Sequence, residues 1–118
     1  MDVSEGVRPP AGTITIDRDG DDRSVLCLRG DVDTAVATRF RSSQGRERVV
    51  VDAIDAQGVT FICSSALALM LLSLEASVAA GRHPVLRAAS HQVDRALQLA
   101  GVASLFPRPE PGPSPPPD

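Results

Sequence analysis

The stretch Gly58–Met70, "GVTFICSSALALM", changes character part-way along. It begins as a buried strand and ends as an apolar helix. From Ser64 onward, Leu67, Met70 or Leu71, Leu74 and Val78 recur at helical spacing, and Gly81 supplies a C-terminal stop. A strand that runs directly into an apolar helix must cover a sheet with that helix. This junction therefore commits the chain to an α/β architecture more firmly than any other segment.

The flanking segments agree with it. "TITID" (Thr13–Asp17) alternates and is rich in β-branched residues, and "SVLCLRG" (Ser24–Gly30) follows after the turn "DRDGDDR". The two predict a hairpin, with Val25, Cys27 and Arg29 on one face and Leu26 and Leu28 on the other. Asp33 or Thr34 can cap a helix running to about Ser43. "VVVDAI" (Val49–Ile54) is a continuous apolar run, as expected of a central strand. After Gly81, "HPVLRAA" reads as a short strand. "SHQVDRALQLAG" reads as a helix capped by Ser90, with Val93, Ala96, Leu97 and Ala100 as its stripe and Gly101 as its end. The predicted order is β-β-α-β-α-β-α, with parallel pairing in the second half.

Residues 1–11 are expected to form a flexible arm. From Pro107 the chain has seven prolines in twelve residues, so 108–118 is expected to be a disordered, Pro-rich tail. One domain remains, over residues 12–107, and the 42% of hydrophobic residues suffice for its core. That core is aliphatic, because the chain has three Phe and no Trp or Tyr. A net charge of −3 without a basic stripe, together with so few aromatics, argues against nucleic acid as a partner. The most apolar run is interrupted by Glu75 and is too short for membrane insertion. With no signal peptide visible, a cytoplasmic protein with free thiols at Cys27 and Cys63 is expected; a disulfide between them is the alternative.

The chemistry concentrates at Cys63, Ser64 and Ser65. A serine at a helix start is an ordinary cap, because its hydroxyl accepts an orphan backbone N–H. That explains one serine, not two serines after a cysteine. A helix start also favours an added phosphate through its free N–H groups and partial positive charge. A hydrolytic nucleophile is not indicated, since no G-x-S-x-G surrounds Ser64 and neither His83 nor His91 is placed as a base. No zinc spacing or Gly-rich phosphate loop is present, so neither a metal nor another cofactor is expected, and the protein is not expected to be an enzyme.

Three stretches in order carry a family resemblance: "LCLRGDVDTA", "VVVDAIDAQGVTFICSSALALMLL" and "AAGRHPVLRAASHQVDRALQLAGVASLFP". Together they resemble the STAS family, the sulphate-transporter and anti-sigma-factor-antagonist domains, over about residues 12–107. The resemblance implies an α/β, STAS-like single domain: a mixed β-sheet of about four strands with helices packed mainly on one face. It implies an anti-sigma-factor antagonist whose partner in a partner-switching system is an anti-sigma factor, a GHKL-type serine kinase. In that family the first hydroxyl residue after a hallmark Asp is phosphorylated. By position the acceptor is Ser64, with Ser65 as its alternative, and Asp33 matches an acidic residue near the phosphosite. Asp33, Thr34, Cys63, Ser64, Ser65 and Ala66 make up the implied partner-binding set. The sequence departs from the pattern where Cys63 replaces the hallmark Asp and Ala66 replaces a Gly. The helix after Asp33 is also short. These departures leave three behaviours open: a phosphoswitch at Ser64, a STAS scaffold that binds without a switch, and a redox-sensitive variant using Cys63.

Overall fold

The computed structural model describes residues 11–109. Four strands, β1 (Thr13–Arg18), β2 (Ser24–Val32), β3 (Ala53–Ile62) and β4 (Val85–Ala89), form one sheet in the order β1-β2-β3-β4. β1 pairs antiparallel with β2, while β2–β3 and β3–β4 are parallel. Helices α1 (Thr34–Gln44), α2 (Ser64–Ala79) and α3 (His91–Leu99) connect them, and a short 3-10 turn (Ala103–Leu105) follows.

All three helices pack on one face. Leu26, Leu28, Ile54 and Ala56 of the sheet share a single buried cluster with Val36 and Phe40 of α1, Leu69, Met70 and Leu74 of α2, and Val93 and Leu97 of α3. The opposite face carries only a small patch of Val25, Cys27, Ala53 and Val85. The alternation predicted for β2 therefore sorts its side chains between a thick core and a nearly bare face. The STAS-like mixed sheet with one helical layer is the architecture observed. The arm and tail expected over 1–11 and 108–118 lie, apart from Ala11, Arg108 and Pro109, outside the described residues.

Two sequence expectations shift. The "VVV" run is not strand: β3 begins at Ala53 and extends to Ile62. The buried Val51 N–H donates to the Ser77 Oγ of α2 at 2.8 Å, and Ser77 in turn donates to the Ser73 carbonyl at 2.6 Å. A helix side chain has taken the amide that a ladder would have used. The second shift concerns the inward face of α2, which is Ala66, Leu69, Met70, Ser73, Leu74 and Ser77. Val78, assigned to the buried stripe from spacing, is 59% exposed. Two serines have replaced apolar residues on the core side, so apolar residues are left on the outer side.

Asp52 ties the sheet together just before β3. Its carboxylate accepts from the Ser24 amide at 2.9 Å and from Arg82 at 2.8 Å, and its own amide donates to the Ser24 carbonyl at 2.8 Å. The Arg82 guanidinium, then the Ser24 amide, hold the Asp52 pKa below the usual carboxylate value. At the other end of β2, an added Cβ on Gly12 would lie 2.2 Å from the Asp31 carbonyl oxygen, and Gly30 sits at φ 73° against Gly12. This crossing needs glycine on both sides.

Because Ser77 satisfies a fully buried amide, Ser77→Ala is expected to cost roughly 1–3 kcal/mol. The exposed Ser64→Ala should change stability by less than about 0.5 kcal/mol. Urea denaturation of the two variants checks both expectations; equal destabilisation would contradict them.

Candidate functional site: two helix starts at one sheet edge

The register of β2 against β3 builds the site. Asp31 aligns with Phe61 and Val32 with Ile62, so both strands end at the same level. The Cys63 amide donates to the Val32 carbonyl at 3.0 Å and carries the pairing one residue further. The next residues open α1 and α2 side by side, with Asp33 and Cys63 as the two N-caps. Asp33, Thr34, Cys63, Ser64 and Ser65 thus come together from positions about thirty apart in sequence.

The two caps differ chemically. Asp33 Oδ1 accepts from the Val36 amide at 3.0 Å, as the sequence suggests. At α2 the expected serine cap is not found: the cap position belongs to Cys63, which forms no side-chain capping hydrogen bond. Ser64 is the first helical residue and is exposed, so its hydroxyl is available rather than engaged in the fold. Ser65 is half-buried, with its Oγ 3.1 Å from Cys63 Sγ. Ala66 is fully buried in the main core, so it offers a partner no side chain.

Neither α1 nor α2 has an acidic residue in its first turn. Two sets of free N–H groups and two positive helix ends therefore lie close together, offset only by the capping Asp33. Cys63 responds to this field. Partial burial pushes its thiol pKa up. The Ser65 hydroxyl, the Ala66 amide, the Thr34 hydroxyl and the Ser65 amide together outweigh that and hold it below the ordinary thiol value. Cys27 behaves oppositely: burial first, and then the neighbouring Asp17 and Asp55, raise its pKa. The two thiols are free and lie on opposite faces of the sheet, which removes the disulfide alternative.

Phe61 escaped the sequence reading. It looked like the end of an apolar segment, yet it is 51% exposed immediately before the corner. Phe61 and Ile62 are both apolar, so no alternation in the sequence marks which of them points outward. His83 and His91 are both exposed, and neither hydrogen-bonds Ser64. Among the described residues, no group of three or more His, Cys, Asp or Glu side chains could hold a metal ion, and no helix is long and apolar enough to cross a membrane.

The arrangement has a solved counterpart. The structure of the anti-sigma factor antagonist SpoIIAA in its unphosphorylated form matches this chain with a TM-score of 0.60, over 83% of this chain and 89% of that one. The chain shares the fold of that structure. Sequence identity in the match is 19%, so the likeness is one of fold. No family model matches the sequence, and no curated protein matches it either.

Cys63 is expected to be alkylated by iodoacetamide well before Cys27, with a pH midpoint below that of an ordinary thiol. Ser65→Ala removes a donor to the thiolate and should move the midpoint upward. Mass spectrometry of the alkylated protein across pH checks this; a midpoint for Cys63 at or above the ordinary thiol value would contradict it.

Proposed function

We propose that this protein is a non-catalytic regulatory binding protein, an anti-sigma-factor antagonist that docks an anti-sigma factor of the GHKL-type serine kinase class on the corner formed by the α1 and α2 starts. The observation that carries this reading is the exposed Ser64 hydroxyl at the α2 start, which has no side-chain cap and no acidic first turn, beside the Asp33-capped start of α1, on a fold shared with an anti-sigma factor antagonist. Phe61, Thr34 and Ser64 supply an apolar, a hydroxyl and a modifiable contact on one small surface.

In this reading the kinase transfers the γ-phosphoryl group of ATP to Ser64 Oγ: the β–γ phosphoanhydride bond breaks, ADP leaves, and the hydroxyl gives up its proton. The phosphate gains from the helix ends that it joins, so the domain need not unfold. The added charge, close to −2, instead changes the surface that the partner meets. Release of the partner by phosphate on this surface would make Ser64 a switch.

Constitutive binding without a switch is the second reading, and Cys63 and Ala66 favour it. A thiol stands where the family resemblance implies a carboxylate. Ala66 packs into the core where a glycine would leave the first turn of α2 more adjustable. A cytoplasmic setting agrees with both readings.

Intact-mass measurement after incubation with ATP and a GHKL-type kinase from the same genome tests the switch. One added phosphate, absent in Ser64→Ala, is expected, together with at least about tenfold weaker binding of Ser64→Asp to that kinase. Wild-type binding with no added phosphate would leave the constitutive reading in place, and no binding at all would contradict both.

A further inference from the structure

The helix-free face of the sheet is drier than its lack of helices allows. Val25, Cys27 and Ala53 lie on it, yet they are only 4%, 6% and 1% exposed. All three helices pack against the other face. Small and medium side chains in the middle of an uncovered sheet face meet water on that side. These three therefore need a cover from elsewhere in the chain.

The turn after β1, residues 19–23, supplies it. Arg87 donates to Asp19 Oδ2 at 2.8 Å. Asp19 follows β1 and Arg87 belongs to β4, and these two strands are the opposite edges of the sheet. Three strand spacings, about 14 Å, separate the edges. Leu86 is in the main core, so its neighbour Arg87 points to the helix-free face, as Val85 does. The pair therefore has to cross that face, with the turn leaning over β2 and the Arg87 stem passing over β3. The methylenes of the stem shield the apolar patch while the guanidinium stays partly in water.

Asp19 joins two sets of contacts. Its Oδ1 accepts from the Asp21 amide at 2.9 Å and from the Arg23 amide at 3.0 Å, and its own amide donates to the Arg23 carbonyl at 3.0 Å. These bonds close the turn on itself and leave Oδ2 for Arg87. Among the described residues, the Arg87 pair is the one hydrogen bond from this turn to the far side of the sheet.

We propose that the 19–23 turn is a strap, latched by Asp19 and Arg87 across the helix-free face, and that its release exposes the Cys27 thiol while the domain stays folded. A partly exposed ion pair holds such a strap only lightly. The main core lies on the other face and does not depend on it, so the strap opens at lower free energy than the sheet. With the strap closed, burial and then the nearby Asp17 and Asp55 keep the Cys27 thiol protonated and unreactive. The strap sits at the end of β2 opposite the Ser64 corner, and it does not rest on the function proposed for that corner.

Peptide-resolved alkylation of the native full chain by N-ethylmaleimide tests this, with Cys63 as the internal reference. Arg87→Gln removes the latch and leaves the bonds within the turn. Arg18→Gln removes a different ion pair of the same hairpin, the one to Asp22. Ser77→Ala weakens the domain without touching the strap. Arg87→Gln is expected to raise the Cys27 rate by about threefold or more, with the Cys63 rate and the urea midpoint close to wild type. Arg18→Gln and Ser77→Ala should leave Cys27 near its wild-type rate. An unchanged Cys27 rate in Arg87→Gln would overturn the proposal, because no latch then guards the thiol. An equal rise in Arg18→Gln would overturn it too, by making the effect a general loosening of the hairpin. So would an equal rise in Ser77→Ala, by making exposure a matter of global unfolding.

Discussion

The parallel register of β2 on β3 is the constraint from which the rest of the corner follows. Val32 and Ile62 end their strands at the same level, and the Cys63 amide closes on the Val32 carbonyl. Both following helices must then start next to one another and fall onto the same face of the sheet. β3 reaches this level by taking up extra residues: its register against β2 shifts between Cys27 and Arg29 and again between Gly30 and Asp31. Such bulges bend and twist a strand and re-aim its last side chains. A one-residue slip in this pairing would turn Ile62 and Val32 away from the core and separate Thr34 from Cys63.

A second layer of polar contacts keeps that register in place. Asp52 fixes the start of β3 to Ser24 on one side and to Arg82 before β4 on the other. Ser77 fastens the segment ahead of β3 to α2 through the Val51 amide. These contacts place the sheet and helix relative to each other at the end opposite the corner. They also determine the surface. The helix that spends two inward positions on serines also shows Leu72 and Val78 to solvent. A structural hydrogen bond and an exposed apolar strip thus share one origin in the sequence of α2.

Much of this was legible in the sequence where a local rule operates alone. The hairpin, the capping by Asp33 and Ser90, and the stops at Gly81 and Gly101 each depend on a few neighbouring residues. The reading failed where a distant group intervened. "VVV" has the composition of a strand, but Ser77, twenty-six positions away, holds the Val51 amide. "DAQGV" lacks clean alternation because the bulges interrupt it, so the continuity of β3 from Ala53 into the strand expected at Gly58 does not show in a period-two pattern. At the corner the residues were found, but their roles were rearranged: Cys63 caps, Ser64 is free, Ser65 faces the thiol and Ala66 is core. Cap identity depends on the backbone angle of one residue, which the types Cys, Ser and Ser do not determine.

The central claim is that one register brings Thr34 and Cys63 together and so creates the candidate corner. A NOESY spectrum of the full chain measures this directly. Cross-peaks from the Thr34 methyl to the Cys63 Hβ protons are expected, with a Cys63 amide that contacts Val32 and is protected from exchange. A Cys63 amide in contact with a residue other than Val32, and a Thr34 methyl with no contact to Cys63, would contradict it.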